Sequence, residues 1–381
     1  MVSVTGCKVE QARDKLLRGC EANPASKNLQ KELEKVSKIR DGMSRGKEQV
    51  EAGEYVEAKL TFGSLLQETA AVPVVLGSAS ADLGLGLTDS ASRLTLQVIR
   101  ADNRCVEGYY LRGRCMYLVG DFDNAVKLLR EALRLDPDAH HAKLVVKKCR
   151  KVQKDVDAAR LALYNRNFDQ AVLHYTGALE KSQPLPIKAR LYVILHTERA
   201  QAHIRIKNYQ AALKDSNCAI YAQDDCVPAW LNKAKAYHGL ARHQDALEEL
   251  THLMNNWGAG DEDIQRAYER AEFEVRKENR PDFYALFGVP SISSQMEIKK
   301  AYKVKAKELH PDRHHGKDVT EAQRKQAEEN FKSLGEGLEI LCDDFKRQLY
   351  DEGYDQKAIR ERIEAAQQAA HRRQRGFHHH R

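Results

Sequence analysis

No two of the eight cysteines, at 7, 20, 105, 115, 149, 218, 226 and 342, fall in a close paired motif, which argues against a disulfide frame or a structural zinc site and favours a reducing compartment. Proline is scarce, nine in 381 residues, so little interrupts long helices. The longest apolar stretches, near Val72 to Leu76, fall far short of the roughly 20 residues a membrane span requires. The opening at Met1 is polar and lacks the apolar core of a secretory signal, so the expected location is cytoplasmic. Charge is lopsided rather than absent. Residues Asp355 to Arg381 hold seven Lys/Arg against three Asp/Glu, a net of +4 out of +7 for the chain. Such a tail reads as a solvated helix end that frays, with RNA, ribosome or acidic-membrane attachment by charge as the alternative. The closing His378-His379-His380 run lacks the ordered ligands and supporting shell of a metal site, so no metal and no cofactor are expected.

What is present is helical. Pro281 to Val289 holds an aromatic and aliphatic cluster stopped by Gly288 and Pro290, which predicts a short helix. From Met296 to Leu309, Ile298, Ala301, Tyr302 and Leu309 fall at helical spacing for one buried stripe, while Lys299, Lys300, Lys303, Lys305 and Lys307 cover the rest. Phe331, Leu334, Leu338 and Leu341 recur at three- and four-residue steps, predicting a further helix antiparallel to the lysine-rich one. His310-Pro311-Asp312 then occupies the turn between them. A catalytic role for His310 would need a partnered nucleophile or carboxylate, and no nucleophile motif surrounds it, so no enzymatic activity is expected.

A lysine-rich helix alone is an ordinary solvated face, but its conjunction with His-Pro-Asp is specific. Together with Ile298 to Lys303, Arg313, Lys346-Arg347 and Tyr350-Asp351, the segment from about Arg280 to Asp355 resembles the J domain of DnaJ-type co-chaperones. The resemblance implies a partner of the heat-shock protein 70 (DnaK-type) class, whose ATP hydrolysis a J domain accelerates. It further implies that Lys299, Tyr302 and Lys303 touch that partner, that Asp312 reaches its coupling switch alongside His310, Pro311 and Arg313, and that Lys332, Asp343 and Arg347 assist docking or steady the loop. Gly335 and Gly337 depart from the pattern, since each glycine inside a helix costs about 1 kcal/mol relative to alanine. Gly337 is expected to serve close helix packing. Gly335 has no such explanation.

Upstream, a small residue stands at Gly46, Ala79, Gly113, Ala159, Ala200 and Ala234, and each time an alanine follows twelve residues later, at Ala58, Ala91, Ala125, Ala171, Ala212 and Ala246. Small side chains at such pairs let two helices of a hairpin cross closely. Between them lie turn-like segments ending in an aromatic, Gly53-Glu54-Tyr55, Gly120-Asp121-Phe122, Asn167-Phe168 and Asn208-Tyr209, expected to wedge each hairpin. The pattern resembles tetratricopeptide repeats, and with the J segment it resembles the co-chaperones of DnaJ subfamily C. Absence of a glycine/phenylalanine-rich segment and of Cys-x-x-Cys repeats excludes the longer DnaJ architectures. The expected fold is all-α, a solenoid of helical hairpins followed by a small helical J domain.

Two intervals in the repeat run long. The first is helical through Ala142 to Val156 and predicts an extended helix joining two subarrays of three repeats; the second contains Pro184-Leu185-Pro186 and reads as a loop. In relatives a carboxylate clamp in the repeats holds acidic chaperone tails. Here the corresponding positions carry Val156, Arg160, Glu198, Pro228 and Asn232 in the second subarray, and Met43, Lys47, Gly77 and Leu111 in the first. Only Arg160 would attract a carboxylate in the second set, and Glu198 would repel one. The repeats are therefore expected to hold unfolded client segments, with heat-shock protein 90 a second candidate partner; no DNA is expected.

The expected organisation is a partial repeat or helical lead-in at 1–38, a first subarray at 39–139, a connecting helix and second subarray at 140–260, a capping helix at 261–279, a J domain at 280–355 and a basic helical tail at 356–381. In the lead-in, Val9 to Gly19 reads as the second helix of a repeat whose first helix is missing, which points to further repeats upstream or to a partner covering its apolar face. Asn279-Arg280 leaves almost no linker before the J domain, so a restricted angle between repeats and J domain is expected. The expected function is a co-chaperone that stimulates a DnaK-type ATPase through its J domain and recruits clients or another chaperone through its repeats. Its competitors are a repeat scaffold with a degenerate J domain and an RNA- or ribosome-associated factor using the basic tail.

Overall fold

The computed structural model describes residues 4–257, 260–310 and 320–377, and every regular element among them is an α-helix, as the pattern predicts. The chain divides into two compact units, Met1–Arg242 with Asn255–Trp257, and His243–Met254 with Gly258–Arg381.

The first unit is built from α1 (Val4–Ala22), α2 (Lys27–Ala52), α3 (Tyr55–Glu68), α4 (Val72–Gly84), α5 (Thr88–Ala101), α6 (Val106–Val119), α7 (Phe122–Leu135), α8 (His140–Tyr164), α9 (Phe168–Ser182), α10 (Arg190–Arg205), α11 (Tyr209–Ala222) and α12 (Val227–Gly239). From α2 to α11 they pair as hairpins. All twelve small residues of the repeat pattern are buried. The reason is steric: a β-carbon on Gly46 would stand 2.6 Å from the Phe62 ring, and one on Gly113 would stand 2.6 Å from Leu129. The aromatics after the turns reach further than expected. Tyr55, opening α3, lies where a β-carbon on Gly84 of α4 would be, and Tyr209, opening α11, does the same to Gly239 of α12. They wedge between successive hairpins, because a ring at the start of the second helix is long enough to cross to the next first helix.

The extended connection is α8, 25 residues long, with Ala142, Val146, Cys149 and Val152 buried in its first half and Val156 and Ala159 in its second. In the loop after α9, Leu185 is buried and the Lys148 ammonium donates to the Gln183 carbonyl at 2.9 Å. One charged cluster sits inside this unit. Asp215 on α11 is buried and accepts from Arg199 Nε and Nη2 at 2.8 and 2.7 Å, with His196 Nδ1 at 2.8 Å and His203 Nε2 at 3.8 Å, all from α10. At the other end, Val9 of α1 is half-buried against a cluster containing Met43, Ala58 and Phe62.

The second unit contains α13 (His243–Trp257, less its last three residues), α14 (Glu262–Asn279), α15 (Phe283–Phe287), α16 (Gln295–Glu308), α17 (Glu321–Leu341), α18 (Asp344–Glu352) and α19 (Gln356–Phe377). Its core gathers Phe283, Phe287, Ile298, Leu334, Leu341, Leu349 and Tyr350. Helix α17 starts well before the predicted apolar stripe, at a capping box in which Gln323 N donates to Thr320 Oγ1 and Thr320 N donates to Gln323 Oε1. The charged helix expected to cap the repeats is α14, and within this unit its Phe273 meets Tyr354 edge-on, with ring centroids 5.1 Å apart. The tail is not wholly a solvated end: Ile359, in the first turn of α19, is 1% exposed and packs into the core.

The two glycines of α17 separate cleanly. A β-carbon on Gly337 would stand 2.9 Å from Phe283 and 3.0 Å from Phe287, whereas one on Gly335 would meet nothing within 4 Å. Gly335→Ala is expected to stabilise the chain by about 1 kcal/mol through helix propensity. Gly337→Ala is expected to destabilise it by about 1–3 kcal/mol through overpacking. Thermal denaturation of the two variants beside the parent checks both signs, and equal shifts would refute the packing account.

Candidate functional site

The start of α16 is fixed locally. Ser294 Oγ accepts from Glu297 N at 3.3 Å, and Glu297 Oε2 accepts from Ser294 N at 2.7 Å, a reciprocal cap that sets which residues face inward. These backbone and hydroxyl bonds to Ser294 hold the Glu297 carboxyl below its usual value. With Ile298 buried, Lys299 and Lys303 emerge exposed one turn apart. Tyr302 divides its surface: it is half-buried, with its ring centroid 6.5 Å from Phe287. Lys305 is drawn aside to Glu308 at 3.0 Å. The helix ends at Glu308, and His310 sets its ring at 5.4 Å from Phe331 of α17, nearly perpendicular to it. Pro311, Asp312 and Arg313 lie outside the described residues. Lys332, the neighbour of Phe331, is exposed on α17.

The other two predicted residues make contacts within the domain, Asp343 from an exposed position and Arg347 from a half-buried one. Asp343 caps α18, accepting from Lys346 N at 3.0 Å. Arg347 is turned inward on the loop that precedes α16: its Nη2 donates to the Ser291 and Ser293 carbonyls, both at 2.8 Å, and its Nε to the Tyr284 hydroxyl at 3.0 Å. That hydroxyl in turn donates to Asp351 at 2.9 Å. Burial, then the Asp351 contact, pushes the Tyr284 phenol up. The sequence offered Arg347 as a residue that assists docking or steadies the loop, but carried no sign that Tyr284 and Asp351 join it. A parallel lock closes the unit's ends. Tyr350 Oη donates to the Pro281 carbonyl at 2.9 Å and accepts from Phe283 N at 3.0 Å, while the Arg280 guanidinium lies 4.2 Å above its ring and donates to the Tyr350 carbonyl. The result is a rigid platform that presents one lysine-bearing face of α16. Among the described residues, no group of three or more His, Cys, Asp or Glu side chains is placed to hold a metal ion.

The DnaJ domain family matches residues 282–351, and the tetratricopeptide repeat family matches residues 106–139 and 156–225. The chain is a tetratricopeptide-repeat protein with a C-terminal DnaJ domain. It is similar to the DnaJ homolog subfamily C member 7 homolog of Schizosaccharomyces pombe, 30% identical over 70% of this chain and 54% of that protein. It is also similar to human DnaJ homolog subfamily C member 7, 28% identical over 71% of this chain and 53% of that one. The chain thus spans about half the length of these curated relatives. Among solved structures, the crystal structure of the P58(IPK) TPR domain shares the fold, with a TM-score of 0.51 and 17% identity over 73% of this chain and 77% of that one.

In the tetratricopeptide repeats, most positions corresponding to a carboxylate clamp are otherwise employed, while Lys47 of the first subarray is exposed. Val156 and Leu111 are each 1% exposed and belong to the core, as does Met43. Gly77 carries no donor and makes room for Phe62. Asn232 donates its side-chain amide to the Thr197 carbonyl at 3.1 Å. Arg160 makes a two-pronged pair with Glu198, Nη2 to Oε1 at 2.9 Å and Nε to Oε2 at 3.2 Å. The cation expected to attract a tail is thereby matched by the anion expected to repel one. No described helix of either unit is long and apolar enough to cross a membrane.

Proposed function

We propose that this protein is a co-chaperone whose DnaJ domain stimulates ATP hydrolysis by a heat-shock protein 70 (DnaK-type) chaperone while its repeats bring an extended client segment close. The observation that carries this reading is the DnaJ domain at 282–351, with exposed Lys299 and Lys303 one turn apart on a helix that runs into His310. A positive face on a rigid element suits steering and orienting onto an acidic surface, where complementary charge raises association rates more than raw affinity. Similarity to DnaJ homolog subfamily C proteins supports the same reading.

For the repeats, the Arg160–Glu198 pair favours a client over a chaperone's free C-terminal tail, because the clamp positions offer no uncommitted donor set in the second subarray. Linking the two activities in one chain raises the client's effective concentration at the ATPase. The deciding experiment is the single-turnover ATPase rate of a DnaK-type chaperone with the full chain and with its Asp312→Asn variant.

A further inference from the structure

The row of the groove that holds Arg160 and Glu198 continues toward the hairpin turns. Tyr164 stands one helical turn beyond Arg160 on α8, and Gln201 and Arg205 stand three and seven residues beyond Glu198 on α10, so these side chains share the faces that the Arg160–Glu198 pair joins. There they line a cavity of about 420 Å³ together with Leu163, Arg166 and Phe168. Tyr164 is 85% exposed. Among the described residues, neither the Arg166 nor the Arg205 guanidinium has an ion-pair partner, in contrast to Arg160.

Arg166 takes the left-handed conformation, φ 58°, at the turn position that glycine fills in the first three hairpins, Gly53, Gly86 and Gly120, and that Lys207 and Ala241 fill, also left-handed, in the two that follow. A side chain there costs about 1 kcal/mol that glycine avoids. The turns at Arg166, Lys207 and Ala241 all accept that cost, and at Arg166 the side chain lines the cavity.

The geometry points to a peptide-binding subsite at this cavity, displaced from the clamp positions, that takes an internal acidic residue beside an aromatic one in an extended polypeptide. The planar guanidinium groups of Arg166 and Arg205 match a carboxylate in two-pronged fashion. Leu163, Phe168 and the exposed Tyr164 offer an apolar wall for a ring. The Gln201 amide is suited to the partner's backbone, since it both donates and accepts. Single-stranded RNA fits less well: each neutralised phosphate contributes a salt slope of only about −0.7, and two arginines beside Glu198 supply too few contacts for affinity by charge. Nothing in the cavity demands a free C-terminus, which separates this subsite from tail capture.

The inference rests on the reading that the repeats hold a polypeptide, and its test keeps the two apart. The full chain is titrated against a short fluorescent peptide containing Asp-Tyr-Asp and amidated at its C-terminus, followed by anisotropy. Saturable binding is expected, weakened about tenfold or more by Arg205→Ser and by Arg166→Gly, as for loss of one charge-assisted contact. Arg166→Gly is chosen because glycine accepts the left-handed backbone, so the melting temperature should hold or rise while binding falls. Arg160→Gln combined with Glu198→Gln, which removes the pair without leaving a bare carboxylate, is expected to leave the peptide affinity within about twofold. Unchanged affinity in both cavity variants, absence of binding, a requirement for a free C-terminal carboxylate, or tighter arginine-dependent binding of a single-stranded RNA would each overturn the assignment. ATPase stimulation through the DnaJ domain is read on the same samples. Stimulation with no cavity-dependent peptide binding removes only this subsite, whereas loss of stimulation in the parent falls on the broader reading.

Discussion

With the Asp312→Asn chain present, a DnaK-type chaperone is expected to hydrolyse ATP at its basal single-turnover rate, while the parent chain accelerates it. The substitution removes one charge and leaves the side chain nearly isosteric. A hydrogen bond to a charged group contributes about 1.5–3 kcal/mol, so losing one in the activated complex lowers the rate by roughly 10- to 150-fold. Lys299→Glu with Lys303→Glu should act differently. Those residues are exposed on α16, where charge acts through solvent and governs encounter. Stimulation should return at high concentration of the doubly reversed protein, and in the parent it should weaken as salt is raised. Equal stimulation by parent and Asp312→Asn would move the reading to a scaffold whose J domain is only structural.

The contrast between these residues and Arg347 shows what the sequence made legible. Helix periodicity places Ile298 inward and leaves Lys299 and Lys303, one and five residues further on, outward, so their exposure follows from local spacing alone. Arg347 has the same chemistry as a docking cation, yet its guanidinium reaches Ser291 and Ser293, more than fifty residues away, and no periodicity reports a contact at that separation. The twelve small residues of the repeats were readable because a hairpin imposes its crossing at a fixed interval. The wedge of Tyr55 on Gly84 was not, because it links one hairpin to the next and depends on the stacking of the repeats. The Arg160–Glu198 pair lies between these cases. Both residues were singled out as opposing influences on an anion, and only the distance between α8 and α10 reveals that they satisfy each other.

The Asp215 cluster is where the largest stability effect is expected. Removing one partner of a buried charged pair costs about 3–5 kcal/mol, because the others remain desolvated. In Asp215→Asn the charge is lost and one carboxylate oxygen becomes an amide donor, so Arg199 and His196, which share two oxygens in the parent, are left with a single neutral acceptor. At about 2–4 °C per kcal/mol for a unit of this size, the melting temperature should fall by roughly 10 °C. The pH dependence distinguishes this charge effect from a packing defect. Burial alone would raise the Asp215 carboxyl, but hydrogen bonds from His196 and Arg199 outweigh it and hold the carboxyl below its usual value. A depressed carboxyl contributes stability above its unfolded value of about 3.9 and loses it as pH falls through the folded value. Burial lowers His203, and Asp215 partly opposes that. The unfolded chain therefore takes up a proton on His203 first, and stability falls as pH drops below about 6.5 toward the lower folded value. The parent should thus lose stability in two acidic windows. Asp215→Asn should lack the lower one and show a steeper decline in the upper one, since nothing then opposes the lowering of His203. Denaturant unfolding between pH 3 and 8 reads both slopes, and a variant that keeps the parent's profile at a uniformly lower stability would assign the effect to packing.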